Sequence, residues 1–350
     1  MRDCTSRIIE IALSAQLLLV AGCMSGVGQS ETAASNSPRP NAESPLVLGR
    51  GVGLFKVGPL LAEDDFENLD NWAVQIQKRS GFPPAKVEAR DHALNCLLPG
   101  RGCTVWSKKK LPTRVTIVYN VLCPTPKPAI KGVQPRDINN FWMATDPADP
   151  ERGLFDSDRY TGKFSSYDKM HGYYASTGGG GAVANLTTRM RRYPREVDGK
   201  LAEHIALNDK DGQRDYLITP DKGMTVQLVA YDDVVQYIVD GKLNYQIVRG
   251  DRIQVEGRDS KGKQVTQKAV YDLNRFPVYR EGYFGFRMVG THHIYTDFRV
   301  YALEPDDGTD AKVSTDSAGK SARNEAHSPH SLQLGGRESK QPIDPSECAG

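Results

Sequence analysis

The chain has 350 residues, 39% of them hydrophobic, with 45 Lys and Arg against 43 Asp and Glu. A formal charge of +2 gives no reason to expect nucleic acid or a charged bilayer as the partner. All Trp, Tyr and Phe residues lie between Leu46 and Leu303, so one large core is expected there, and neither the six Cys nor the seven His fall at zinc-ligand spacing.

At the N-terminus, Ile11 to Val20 is apolar apart from Ser14 and Gln16, follows Arg2 and Arg7, and runs into Leu19-Val20-Ala21-Gly22-Cys23. Basic residues, a short apolar run and then small residues make an export signal, too short for a bilayer, which takes roughly 20 apolar residues. The stretch resembles the bacterial lipobox, whose cysteine becomes the acylated first residue of the mature protein. That implies a signal peptide over 1–22 and lipid attachment at Cys23. With Met24 rather than Asp following, it also implies the outer membrane or cell surface. A buried N-terminal helix is the rival reading. Residues 23–46, rich in Ser, Ala, Asn and Pro, read as a flexible tether. The membrane is therefore expected as a partner only through the lipid.

Cys4 leaves with the signal, so Cys96, Cys103, Cys123 and Cys348 remain. Cys96 and Cys103 bracket a Leu-Leu-Pro-Gly-Arg-Gly turn. Export permits a disulfide there, and free, packed thiols are equally open. Strand-like runs follow at Val115 to Leu122, Asn139 to Ala144, Thr187 to Tyr193, Met224 to Tyr231, Gly282 to Val289 and Tyr295 to Leu303. Val234 to Val239, Asp240-Gly241 and Lys242 to Ile247 form the clearest hairpin, because Asp-Gly takes the positive φ angles of a tight turn. Many short strands without helical periodicity predict a sandwich or barrel over 47–303. The polar stretch 304–350 reads as a disordered tail.

Strand alternation assigns faces. Phe284, Phe286 and Met288 should face the core, with Tyr283, Gly285 and Arg287 opposite. Arg189, Arg191 and Tyr193 share a polar side with Thr187, against Thr188, Met190 and Arg192. Trp142 shares a face with Asn140 and Ala144, opposite Phe141 and Met143, and is expected in the groove.

Asp64-Asp65-Phe66-Glu67-Asn68-Leu69-Asp70-Asn71-Trp72 is similar to the opening strand of concanavalin-like jelly rolls. Asp137-Ile138-Asn139-Asn140-Phe141-Trp142, Tyr173-Tyr174 with its Gly run, Asn185 to Tyr193, and Gly282-Tyr283-Phe284-Gly285-Phe286-Arg287 follow in order. Together they resemble the YesU-like domain family. The resemblance implies an all-β, concanavalin-like jelly-roll sandwich of two antiparallel sheets in bacteria that degrade acidic polysaccharides such as rhamnogalacturonan-type pectins. Gly178 to Gly181 departs from the Gly-Gly-Asn usual in that family.

A lyase on a uronate neutralises the carboxylate, removes the neighbouring proton and protonates the leaving oxygen. Arg with Asn suits the first task, and His and Tyr the other two. His171, Tyr193 and Arg189 are the catalytic candidates. Asn139, Trp142, Tyr173, Arg191, Arg287 and His293 are the substrate-binding candidates, Trp142 by stacking on a sugar ring. The expected partner is a polysaccharide or oligosaccharide, with no nucleic acid. A lectin-like module that binds without reaction is the alternative. A glycosidase ranks third, because Glu196-Val197-Asp198 lacks the third carboxylate of the jelly-roll glucanase pattern. Asp156-Ser157-Asp158 and Asp209-Lys210-Asp211-Gly212 read as turns rather than calcium loops, and no cofactor is expected.

Overall fold

The computed structural model describes residues 44–181, 184–209 and 216–308. The expected signal peptide, Cys23, Cys348, all of the tether before residue 44 and the tail from residue 309 lie outside the described residues, as does most of the Asp209 to Gly212 turn.

The fold is an all-β, concanavalin-like jelly-roll sandwich of two antiparallel sheets. The smaller sheet carries β1 (Phe55–Asp64), β3 (Lys86–Arg90), β4 (Ala93–Leu97), β7 (Val115–Leu122), β14 (Gly223–Tyr231), β15 (Val234–Val239), β16 (Lys242–Ile247) and β20 (His292–Pro305). Its order is β16-β15-β14-β7-β20-β4-β3, with β1 also on β20. The larger sheet carries β2 (Trp72–Ile76), β5 (Gly102–Ser107), β6 (Leu111–Pro112), β8 (Ile138–Thr145), β9 (His171–Gly179), β10 (Thr187–Tyr193), β13 (His204–Asp209), β17 (Arg252–Arg258), β18 (Gln264–Val270) and β19 (Glu281–Val289). It is ordered β18-β17-β13-β10-β9-β8-β19-β5-β2, with β6 on the end of β19, and β11 (Glu196–Val197) and β12 (Lys200–Leu201) form a separate hairpin.

The predicted hairpin is β15 and β16, with Asp240 at φ 48° and Gly241 at φ 71°. In the Asp64 to Trp72 corner, Trp72 Nε1 donates to Asp64 Oδ2 at 3.0 Å, which seats Phe66 and Trp72 in the core. Phe284, Phe286 and Met288 fill the space between the sheets as alternation requires. Burying each such side chain contributes roughly 1.5–3 kcal/mol. Hydroxyls tie the sheets together: Tyr119 donates to Asn140 Oδ1, and Tyr237 and Tyr245 pair with Thr177 at 2.8 Å and Thr188 at 2.9 Å. Cys96, Cys103 and Cys123 are buried free thiols, so the Cys96–Cys103 disulfide is not formed; burial pushes the Cys103 thiol up to about 12.

Two further apolar layers flank the sandwich. The N-terminal segment packs Val47, Leu48 and Phe55 over Val229, Tyr231 and Ile238 of the smaller sheet. Leu46, at the end of the expected tether, exchanges hydrogen bonds with Gln227 at 3.0 and 2.7 Å. On the larger sheet, residues 146–170 lay Leu154, Tyr160, Tyr167 and Met170 over Trp106, Phe141, Tyr174, Tyr193 and Tyr283. Gly285 accommodates that layer, since a Cβ there would lie 2.5 Å from the Trp106 ring.

Candidate functional site

On the outer face of the larger sheet, register aligns side chains into rows across the strands. One row pairs Gln75 with Thr104, Thr104 with Arg287, and Arg287 with Asn139. It continues from Asn139 to Ser176, from Ser176 to Arg189 and from Arg189 to Asn208. A neighbouring row runs through Trp106, Gly285, Phe141, Tyr174 and Arg191. The expected Arg189, Arg191 and Tyr193 face therefore forms, with Asn139 two strands away.

Its chemistry is unsaturated hydrogen bonding. The Nε atoms of Arg189, Arg191 and Arg195, the Tyr193 hydroxyl, Asn139 Oδ1 and Asn208 Oδ1 are all buried with no hydrogen-bond partner among the described residues. Arg195 is held by Asp168 at 3.0 Å, and Arg191 lies over the Tyr174 ring at 6.0 Å. Burial pushes the Tyr193 phenol up against the opposing pull of Arg191 and Arg195, so it stays protonated. Burial likewise raises the Asp168 carboxyl, with Arg195 opposing.

Two residues that strand alternation around Tyr193 did not reach complete the face. His204 is fully buried; its Nδ1 is 2.9 Å from the Ala202 carbonyl and its Nε2 is 3.5 Å from Glu256 Oε2. Glu256 also accepts from Asn208 Nδ2 at 3.2 Å, and its carboxyl is held down at about 2, chiefly by His204 and further by Arg191, against burial. The signal was present in the alternation of His204 to Asn208, where Ile205 and Leu207 face the core and His204, Ala206 and Asn208 do not.

Four expected site residues lie elsewhere, and a fifth, Arg287, lies on this face but is sealed. His171 opens β9 and stacks on Tyr279 at 5.6 Å, on the side of the sheet that carries Tyr173 and Arg192. It is thus on the opposite face from Tyr193. Tyr173 is in the sandwich core with its hydroxyl on Tyr279 N, and Tyr174 takes the outer side. Trp142 is fully buried between the sheets beside Tyr173, while Phe141 faces out. Trp142 and Asn140 do share a side, but Met143 at φ 50° and a register shift carry Met143 to the core and Ala144 to the outer layer. His293 belongs to the smaller sheet and is fully buried, with Nδ1 2.8 Å from the Tyr295 hydroxyl and Nε2 2.9 Å from the Arg136 carbonyl. Arg287 is on the outer face but fully buried, donating to the carbonyls of Cys103 (2.9 Å) and Met288 beneath Phe164 and Tyr167.

Among the described residues no three His, Cys, Asp or Glu side chains group to hold a metal. A cavity of about 860 Å³ lies apart from the arginine face, between Lys108, Tyr283 and residues 149–159, and contains none of the predicted site residues.

Residues 97–258 match the profile of a family described as a domain of unknown function, DUF6250. This stretch is similar to DUF6250 domains. It includes the covering segment and the face from Asn139 to Glu256, but not Gln75 or Arg287. No curated protein matches the chain. Among solved structures, the chain is similar to a Bacillus subtilis protein of unknown function with a galectin-like fold. The two are 16% identical, with 71% of this chain and 99% of that one covered and a TM-score of 0.47. It is similar also to carbohydrate-binding module CBM66 from Bacillus subtilis, at 12% identity, 70% and 100% coverage and a TM-score of 0.34. A third likeness is to an endo-beta-1,3-glucanase from Pyrococcus furiosus, at 8% identity, 72% and 99% coverage and a TM-score of 0.40.

Proposed function

We propose that the arginine face binds carboxylate-bearing glycan of the uronate-containing kind. The observation that carries this reading is the convergence on one face of buried, unpartnered polar atoms from Arg189, Arg191, Arg195, Tyr193, Asn139 and Asn208. An unmet buried polar group costs about 1–3 kcal/mol, and more when charged, so such a set gains most from a ligand that supplies both acceptors and donors. A guanidinium fork matches a carboxylate in two parallel hydrogen bonds, and sugar hydroxyls suit Asn and Tyr. The resemblance of four ordered segments to YesU-like domains points the same way.

β-Elimination is the second reading, favoured by a protonated Tyr193 between Arg191 and Arg195, suited to giving a proton to a leaving oxygen. It ranks behind binding because Tyr193 is fully buried beside the 146–170 layer and His171, the expected base, lies on the other face of the sheet. The leader pattern supports export and lipid anchoring at Cys23.

The test is calorimetric titration of the protein with trigalacturonate and with a neutral galactose trimer. Binding of the acidic trimer alone, weakened at least about tenfold in Arg191→Gln, is expected. Equal affinity for both trimers would refute the reading. Growth of the unsaturated-uronate absorbance during incubation with pectate would promote elimination over binding.

A further inference from the structure

The polar row that begins at Asn208 does not stop at Asn139, yet a ligand can reach only part of it. Beyond Asn139 the row continues through Arg287, Thr104 and Gln75, all sealed under residues 146–170. Gln75 Nε2 donates to the Leu154 carbonyl at 2.7 Å, and Gln75 Oε1 accepts from Trp106 Nε1 at 3.0 Å and from the Tyr167 hydroxyl at 2.8 Å. The covering backbone lies directly on the strands: a Cβ on Gly102 would sit 2.3 Å from the Gly162 carbonyl, and one on Gly162 would sit 2.5 Å from Gln77 N. No sugar fits between them. The seal ends at Phe164, a half-buried ring that lies over Arg287 at 5.3 Å and beside Tyr174 at 5.4 Å. On its other side the unpartnered atoms of Arg189, Arg191 and Asn208 begin.

We propose that the covering segment makes this face a blocked one, which recognises the end of an acidic glycan chain rather than its interior. This rests on the acidic-glycan reading above. A glycan laid across the strands from the β13 side meets the Phe164 edge and can go no further, so its terminal sugar lies against that ring with the carboxylates over the arginines. Beyond the seal the row runs from Asn139 on β8 to Asn208 on β13, three strand spacings or about 14 Å, the length of about three sugar rings, with Asn139 and Ser176 buried in its floor and Arg189 and Asn208 half-buried. An aromatic edge facing the apolar side of a pyranose suits a terminal ring. Phe164 is accordingly a specificity residue: it sets where the chain must stop.

The experiment is a length series on the full chain, using galacturonate oligomers of one to eight residues and polygalacturonate before and after partial acid hydrolysis. Affinity is expected to rise up to the trimer and then change by less than about twofold. Polymer binding capacity per uronate is expected to grow in proportion to the chain ends released by hydrolysis. Affinity that climbs about tenfold from trimer to octamer, or capacity that tracks mass regardless of fragmentation, would overturn end recognition and leave acidic-glycan binding standing. No uronate binding at any length would overturn both.

Discussion

Glu256→Gln isolates the charge that organises the arginine face. The carboxylate lies 3.5 Å from His204 Nε2, accepts from Asn208, and has a side chain only 12% exposed, so solvent screens it little. Its folded value of about 2 stands against 4.5 in the free side chain, with His204 as the main cause. At about 1.4 kcal/mol per pH unit this is worth about 3 kcal/mol of stability at neutral pH. Because the folded value is depressed, that contribution is complete above 4.5 and is lost as pH falls towards 2. Gln keeps the shape and the Asn208 contact but removes the charge. Urea unfolding near pH 7 should show the variant less stable by about 3 kcal/mol, and near pH 3 by about 1 kcal/mol. A gap of the same size at both pH values, or no gap at neutral pH, would mean that the Glu256 carboxyl is not held down by its neighbours.

Arg287→Met should destabilise the fold by about 3 kcal/mol, because two buried carbonyls lose their donor and the covering segment loses its cationic seat. A urea midpoint unchanged from wild type would contradict this. His293 is held neutral down to about 3 by burial, against 6.5 in the free side chain. Its depressed value means stability is full above 6.5 and falls by about 1.4 kcal/mol per pH unit between 6.5 and 3, a slope that His293→Gln should remove from the acid limb of a stability curve. Cys23→Ala should release the protein from the membrane fraction of the expressing bacterium. Retention in that fraction would count against the anchor.

The strands at Val115, Thr187, Gly282 and Tyr295 and the Asp240-Gly241 hairpin were legible because alternation and turn chemistry agree there. Which residues lie out on the larger sheet was harder to read. Residues 146–170 place a second apolar layer on its outer face, so both sides of β8 and β9 are hydrophobic and polarity cannot tell them apart. Phe141 and Trp142, and Tyr173 and Tyr174, exchanged sides for that reason. Arg189, Arg191 and Tyr193 were placed on their face from sequence because Met190 opposes them and the covering layer reaches only the Tyr193 end. His204 and Glu256 were not legible as a pair because they lie on β13 and β17, far apart in sequence, and only the pairing of those two strands sets one beside the other.

Arginine Nε–H resonances followed during titration with trigalacturonate report on the arginine face itself, since these are atoms the fold leaves unpartnered. The signals of Arg189, Arg191 and Arg195 should move together at saturation, while Arg287 under its aromatic cover and Arg192 on the opposite face stay in place. Binding that leaves those three signals unmoved would rule out the arginine face as the binding site.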